Sequence, residues 1–266
     1  MSGVERIAEA FARARADGRA AAFMPYMMGG YPDLETSRAI GRAYLEGGAD
    51  LIELGVPFSD PLADGPVIHA AATAALRAGV TLPEVLELGG ELARSVPVVV
   101  MCYVNQIHAR GIERFLDGLV DAGISGLIAP DVPLEEAGEL RDACVQRELA
   151  FVPLVAPTSG AERMAAIGAT AHGFLYVVGV TGTTGERSDQ DGSVGKLLGT
   201  ARASTRVPVA LGFGISTPEQ AAAAAGAGAD GVIVGSRLVR AAGEGAGAAA
   251  AVRGLVADFS KALTVA

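Results

Sequence analysis

Helical and strand-like patterns alternate along the chain from one end to the other. The stretch from Val4 to Ala16 fits a first helix, and an apolar run from Ala20 to Met28 follows it. A second helix fits Leu34 to Leu45 and ends at Gly47-Gly48, because glycine commonly stops helices. The next strand, Asp50 to Val56, has apolar residues on both faces, which is typical of parallel strands covered by helices on either side.

One local phrase recurs four times: a helix end, a glycine stop and then a buried strand. The copies lie at Gly48–Glu53, Asp121–Ile128, Ile167–Tyr176 and Gly228–Ile233, and the copy that begins at Ile167 is the loosest. Repetition of one β/α unit predicts a parallel sheet with right-handed crossovers.

The apolar segments give eight predicted strands, and eight strands in 266 residues favour a closed barrel over an open sheet. The predicted strands are Ala20–Tyr26, Asp50–Val56, Val98–Cys102, Gly126–Ala129, Phe151–Val155, Gly173–Val178, Val207–Phe213 and Gly231–Val234. We therefore predict an α/β fold: a single (β/α)8 TIM-barrel domain over residues 1–266 with an extra N-terminal helix. The Ala/Gly-rich tract from Ala241 to Ala251 is interpreted as the start of the last helix rather than as a domain boundary.

Charge and composition narrow the classes of function. Asp and Glu total 30 against 21 Lys and Arg, and no basic run interrupts this acidic balance, which argues against nucleic acid and anionic membranes as partners. No apolar stretch approaches the roughly 18 residues of a membrane span, so we expect a cytoplasmic protein with reduced thiols. Lysine occurs only at Lys196 and Lys261, and the three histidines show no HxH or HExxH spacing. We therefore expect neither a lysine imine nor a catalytic metal site.

Carboxylates near the end of the second predicted strand are the first candidates for chemistry. Barrel enzymes carry their active sites at the C-terminal ends of the strands, and Glu53 interrupts an apolar strand near that end. A buried carboxylate is costly, so Glu53 needs either a catalytic role or a framework arginine. Asp60 and Asp64 follow in a Pro/Gly-rich loop, where each could be catalytic or merely turn-forming. The polar, glycine-rich stretch 179–192 suits either a lid over the site or an ordinary surface loop.

Two glycine turns predict a phosphate site. Gly212–Ser216 ends the seventh predicted strand, and Gly235-Ser236 ends the eighth and opens a helix. Barrel phosphate sites use these two loops, because glycine lets backbone N–H groups approach the anion. The alternative is a pair of ordinary tight turns between strand and helix.

Together these segments resemble the α subunit of tryptophan synthase. The segment Leu51–Pro66 looks like the signature of that family almost residue for residue. Further matches run in the same order along the chain: Pro25-Tyr26, Gly30–Pro32, Tyr103–Asn105, Pro130–Pro133, Tyr176, Gly182–Gly185, Gly212–Gly214 and Gly235-Ser236. Departures include Gln106, where proline is frequent, and His69, where glutamine is usual.

The resemblance implies a retro-aldol cleavage of indole-3-glycerol phosphate to indole and glyceraldehyde 3-phosphate in tryptophan biosynthesis. It assigns general acid–base catalysis to Glu53, stabilisation of the indole N–H and ring charge to Asp64, and orientation of Asp64 to Thr184. The substrate-binding residues that it implies are Tyr26, Tyr176, Gly185, Phe213, Gly214, Gly235 and Ser236. Gly185, Gly214, Gly235 and Ser236 among them are expected to hold the phosphate.

The resemblance also implies a partner. A tryptophan synthase β subunit in an α2β2 assembly is expected, with pyridoxal phosphate only in that β partner and no cofactor in this chain. The residues expected at the partner interface are Asp60, Pro61, Asn105 and Pro133. Three alternatives stay open: a stand-alone lyase releasing free indole, another phosphate-binding barrel such as an isomerase or indole-glycerol-phosphate synthase, and a non-catalytic phosphate-binding or activating subunit.

Overall fold

The strands form one parallel sheet that curls into a barrel. The computed structural model describes residues 1–179, 192–212 and 214–265. Within them lie nine strand segments, in the spatial order β5-β4-β3-β2-β1-β9-β8-β7-β6, with every neighbouring pair parallel. The strands are β1 Ala22–Met28, β2 Ile52–Gly55, β3 Val98–Met101, β4 Gly126–Ile128, β5 Ala150–Phe151, β6 Leu154–Val155, β7 Leu175–Val178, β8 Val209–Gly212 and β9 Gly231–Val234.

Helices follow the strands around the outside of the barrel. Within the described residues they are α1 Gly3–Ala16, α2 Leu34–Glu46, α3 Pro66–Arg77, α4 Leu82–Ala93, α5 Val104–His108, α6 Ile112–Asp121, α7 Gly138–Gln146, α8 Ala161–Gly168, α9 Ser193–Ser204, α10 Pro218–Gly226, α11 Ser236–Ala242 and α12 Ala248–Ala262. The predicted (β/α)8 barrel with an extra N-terminal helix is confirmed. The tract 241–251 differs from its prediction, because α11 ends at Ala242 and α12 begins only at Ala248.

The fifth predicted strand is split in two. β5 pairs with β4, whereas β6 pairs with β7, so the chain itself closes the barrel between Phe151 and Leu154. Pro153 lies in this interval and has no N–H to donate to a ladder, although its carbonyl accepts the N–H of Tyr176 at 3.1 Å. The eight predicted strands are therefore all present, and the fifth is interrupted where one strand serves two neighbours.

Alternation along the strands separates an inner layer from an outer one. In β1, Met24 and Tyr26 belong to the cluster inside the barrel, whereas Phe23 and Met27 pack outward against the helices. Helix α1 covers the N-terminal end of the barrel, and its Phe11 ring lies 6.0 Å from that of Phe174. The opposite end, where the strands finish, is therefore the end at which side chains of the following loops gather.

The repeated phrase of the sequence builds the same clip at two strands. Asp50 donates its N–H to the carbonyl of Phe23 at 2.9 Å, and its carboxylate accepts the N–H of Phe23 at 2.8 Å. Asp230 makes the same reciprocal pair with Val209, at 2.8 and 2.9 Å. In another copy Ser125 stands at this position, and its buried hydroxyl has no hydrogen-bond partner among the described residues.

Arginines complete both aspartate clips. Arg19 forms an ion pair with Asp50, with an N–O distance of 2.6 Å. Asp230 forms ion pairs with Arg202 at 2.7 Å and with Arg15 at 3.3 Å. Burial raises the pKa of Asp50 to about 6, although the N–H of Phe23 and the guanidinium of Arg19 oppose the rise. The clips therefore tie strands and helices together at the end of the barrel that faces α1.

The segment after α12 pairs with the connection between α1 and β1. Ala20 donates its N–H to the carbonyl of Leu263 at 2.8 Å, and Val265 donates to the carbonyl of Gly18 at 2.8 Å. Because Ala20 precedes β1, this pairing also lies at the N-terminal end of the barrel. None of the helices in the described part of the chain is long and apolar enough to cross a membrane.

Candidate active site

Glu53 is buried in the inner layer of the barrel. It is in register with Tyr26 of β1 and Val99 of β3, both of which belong to the interior cluster. Its residue is 1% exposed, and neither carboxylate oxygen has a hydrogen-bond partner among the described residues. Burial, followed by the charge of Asp64, raises the pKa of Glu53 to about 8. No framework arginine neutralises Glu53 in the described structure, so the carboxyl group is held protonated near neutral pH by its surroundings.

Two tyrosines of the barrel interior, Tyr26 of β1 and Tyr176 of β7, each lie against a glycine that ends the adjacent strand. A Cβ added to Gly55 would lie 2.1 Å from the Tyr26 hydroxyl, and one added to Gly212 would lie 2.3 Å from the Tyr176 hydroxyl. Both phenols therefore occupy space that any larger residue at these strand ends would fill. The field of Glu53 contributes to the raised pKa of both tyrosines, after the larger effect of burial.

Asp64 lies in the loop between β2 and α3 and is half-buried. Burial raises its pKa, while a hydrogen bond from the Tyr103 hydroxyl and the positive field of His69 lower it. The same Tyr103 hydroxyl accepts the N–H of Ala63 at 3.0 Å, so it holds the residue before Asp64 as well. The charge of Asp64 also contributes to the raised pKa of Glu53, so the two carboxyl groups lie close enough to interact electrostatically.

The predicted glycine turn at Gly235-Ser236 lies next to Tyr26, the register partner of Glu53. A Cβ added to Gly235 would contact the Tyr26 ring and its Cβ at 3.6 to 3.8 Å. Ser236, half-buried, is the first residue of α11, so that the predicted opening of a helix is confirmed. Gly214 is exposed and has a φ of 85°, a conformation that favours glycine.

The residues expected at a partner interface lie in the segments that follow three successive strands, on loops except for Asn105, which lies in α5. Asp60 and Pro61 follow β2, Asn105 follows β3 and Pro133 follows β4. Pro61 is half-buried and the other three are exposed, and Leu62 beside them is 89% exposed. Because neighbouring strands end side by side, these loops lie at one sector of the barrel mouth.

Three predicted site residues, Thr184, Gly185 and Phe213, lie outside the described residues. Two residues near the site had no site role in the sequence analysis: Tyr103, which contacts Asp64, and His69, which faces it from α3. Tyr103 directly follows a predicted strand, and that position was the signal that could have identified it. No group of three potential metal ligands is found among the described residues.

Comparison with known proteins places this geometry in context. The family model for the tryptophan synthase alpha chain matches residues 11–262. A tryptophan synthase alpha chain from Prochlorococcus marinus is 49% identical over 256 residues, which cover 95% of this chain and 90% of that protein. A solved tryptophan synthase from Mycobacterium tuberculosis superposes with a TM-score of 0.91 at 38% identity, covering 98% of this chain and 99% of that one. A tryptophan synthase complex from Pyrococcus furiosus gives a TM-score of 0.83 at 33% identity, covering 91% and 98%.

Proposed function

The chain belongs to the tryptophan synthase alpha chain family, and we propose that Glu53 and Asp64 divide the acid–base work of its reaction. The protein is a carbon–carbon lyase that cleaves indole-3-glycerol phosphate, and it serves as the α subunit in tryptophan biosynthesis. The products implied by that cleavage are indole and glyceraldehyde 3-phosphate.

Glu53 begins as the acid. A carboxyl group with a pKa of about 8 is mostly protonated near neutral pH, so it can deliver a proton to C3 of the indole ring. The resulting carboxylate then takes the proton of the glycerol hydroxyl next to the bond that breaks. The carbon–carbon bond cleaves, an aldehyde forms at the former hydroxyl carbon, and the bonding electrons return to the ring. Glu53 ends protonated, so the cycle balances.

Asp64 stabilises the positive charge that C3 protonation places on the indole ring. As a half-buried carboxylate it can accept the indole N–H. Its negative charge stabilises the cationic ring more strongly where water is excluded. The two carboxyl groups thus take separate roles because their environments differ: one lies in an apolar strand, and the other in a polar loop with a hydrogen bond from Tyr103.

The observation that carries this proposal is the buried Glu53 carboxylate without a hydrogen-bond partner among the described residues. A protein retains such a costly group when a ligand completes it. The Gly235 turn, against the Tyr26 ring, would hold the phosphate together with Gly214 and Ser236. The glycerol chain would then lie between that turn and Glu53. The proposal also includes Thr184, which would orient Asp64, and Gly185 and Phe213, which would bind the substrate.

A β subunit is the proposed partner, docking on the sector formed by Asp60, Pro61, Asn105 and Pro133. The exposed Leu62 supplies apolar area to that sector. This chain is proposed to need no cofactor of its own, because carboxyl groups suffice for every proton transfer above, and pyridoxal phosphate would belong to the β partner.

Release of indole from indole-3-glycerol phosphate tests the proposal. The purified chain is assayed alone and then with a tryptophan synthase β subunit. Slow turnover that rises strongly with the β subunit is expected, whereas fast turnover alone would indicate a stand-alone lyase. The variant Glu53→Gln is expected to lower kcat at least ~100-fold. The control Glu162→Gln changes an exposed glutamate on α8 and is expected to leave kcat unchanged. A Glu53→Gln variant with near-normal turnover rules out the acid–base role.

A further inference from the structure

The loop that carries Asp64 is held at both of its ends by the first turn of α5 and the residue that caps it. At the far end, the Tyr103 hydroxyl accepts the N–H of Ala63 at 3.0 Å. At the near end, Gln106 Nε2 donates to the carbonyl of Pro57 at 2.9 Å. The Phe58 ring stacks on Tyr103 between these points, with ring centroids 5.3 Å apart.

Tyr103 and Gln106 are three residues apart, and the Gln106 N–H donates to the Tyr103 carbonyl at 3.0 Å. Residues at this spacing on a helical turn lie on the same face, so the two side chains form a fixed pair of anchors. The turn itself is fastened to the next loop, because Asp131 accepts the N–H of Val104 at 3.0 Å. The anchors therefore lie on a turn that directly follows β3 and is also bonded to the segment after β4.

The amide of Gln106 has a defined orientation. Its Nε2 faces a carbonyl, which can only accept, so its Oε1 must lie on the other side. There the thiol of the buried Cys102 donates to Oε1, with Sγ at 3.3 Å, and the thiol also lies 3.6 Å from the Tyr103 carbonyl. A linked chain thus runs from the end of β3 through Gln106 to the start of the loop.

We propose that Gln106 is a positioning residue for the lyase reaction: it fixes the start of the 57–64 loop so that Asp64 is presented to the substrate. This inference rests on the role proposed for Asp64. The anchor depends on the amide of Gln106, because a residue without a side-chain N–H would have no donor for the Pro57 carbonyl. Cys102 acts one step further away, by holding the Gln106 amide in place.

The test uses the full chain and replaces Gln106 by Met, which keeps the length of the side chain and removes the amide. The variant Gln106→Met is expected to lower kcat for indole release about 5- to 10-fold, the effect of one lost hydrogen bond, with a smaller change in KM. Amide hydrogen exchange of Ala63, whose N–H is bonded to the Tyr103 hydroxyl, is measured without substrate and is expected to accelerate by a similar factor. Gln146→Met, at the exposed end of α7, is the matched control and should change neither quantity.

A double-mutant cycle tests the path through the thiol. Cys102→Ala is expected to lower kcat about 2-fold, and Cys102→Ala combined with Gln106→Met should be no slower than Gln106→Met alone, because both act through one amide. Additive effects would overturn the role given to Cys102.

Unchanged exchange of the Ala63 amide in a folded Gln106→Met variant overturns the proposal whatever happens to turnover. Faster exchange with unchanged kcat overturns it as well, because the reaction would then not depend on how the anchored loop positions Asp64. If the unmodified chain releases no indole, the proposed function fails. The anchor is then judged by loop exchange and by the carboxyl pKa of Asp64 in a nuclear magnetic resonance titration. That pKa should fall towards its usual value when Gln106→Met exposes the loop, and an unshifted pKa overturns the anchor.

Discussion

Tyr26 and Glu53 are register partners on adjacent parallel strands, so their side chains leave the sheet on the same face and enter the barrel together. The tyrosine ring and the apolar neighbours of the strand exclude water from the carboxyl group without giving it a hydrogen bond in the described structure. This burial raises the pKa of Glu53 to about 8, and several measurable properties depend on it.

The rate of indole release should fall in alkaline solution. Glu53 must carry a proton to act as the acid, and the group loses that proton as pH rises through its pKa of about 8. We expect kcat/KM to decline about tenfold per pH unit above that value. A pH–rate profile of the free enzyme checks this, and a profile that stays flat to pH 10 would show that Glu53 does not enter the reaction as an acid.

The same group should make folding stability depend on pH. The pKa of Glu53 is about 8 in the folded chain, against an ordinary value of 4.5. The stability that its protonated form contributes to folding is therefore fully present below pH 4.5 and is lost as pH rises through 8. Denaturant unfolding from pH 4.5 to 9 should therefore favour Glu53→Gln over the unmodified chain by a growing margin, reaching a few kcal/mol. Glu162→Gln serves as the control, with a parallel curve. A constant difference between Glu53→Gln and the unmodified chain would contradict the raised pKa.

Tyr103→Phe should shift the acidic side of the pH–rate profile. The Tyr103 hydroxyl lowers the pKa of Asp64, so its removal should raise that pKa and move the acidic limb to higher pH. The variant keeps the ring that stacks on Phe58. Comparison of the two acidic limbs checks the prediction, and identical limbs would mean that the hydroxyl does not act on Asp64.

Gly55→Ala should impair the site without unfolding the barrel. The new Cβ would lie 2.1 Å from the Tyr26 hydroxyl, so the phenol must leave its place against this strand end. We expect a loss of kcat/KM of about tenfold or more, as a small displacement of side chains within an active site commonly causes. Gly199→Ala is the control, since a Cβ there meets nothing within 4 Å, and it lies in helix α9. Equal activity of the two variants would refute this account.

Asp50 and Ser125 occupy equivalent places in the repeated phrase, yet their removal should have opposite outcomes. Asp50→Ala leaves the Phe23 N–H and the Arg19 guanidinium without their buried acceptor, and should destabilise the fold by about 2–4 kcal/mol. Ser125→Ala removes a buried hydroxyl that has no partner in the described structure, and should be neutral or stabilising. Thermal unfolding of both variants decides the matter. Comparable losses in stability would mean that the clip contributes little.

Much of the fold could be predicted from the sequence because each strand is a short buried apolar run followed by a polar or glycine-rich loop. The strand Gly231–Val234 was predicted with its observed bounds, since a glycine stop precedes it and a turn follows it. The interruption at Pro153 could not be predicted, because it depends on which strands lie on either side of it after the barrel closes. That information is absent from any local window.

The candidate site divides in the same way. Glu53 was identifiable because a charge in an apolar strand is rare, and the sequence left open whether it was catalytic or paired with a framework arginine. The structure provides no such arginine among the described residues. His69 could not be assigned, since its charge acts on Asp64 from a different element. Tyr103 could be suspected from its place after a predicted strand, but its hydrogen bond to Asp64 joins segments that meet only in three dimensions. Sequence patterns report burial and turns well, but they do not report which side chains of different loops converge.

The pairing of Ala20 with Leu263 has a practical consequence for attaching the protein to a surface. Val265, nearby, is 64% exposed, and both native cysteines are buried, so a thiol-reactive tether on Val265→Cys would react at one point. Every tethered molecule would then present the same end outward. A sensor chip prepared in this way would leave the rim of loops open to dissolved proteins, and the orientation would be set by the position of residue 265 on the barrel rather than by chance.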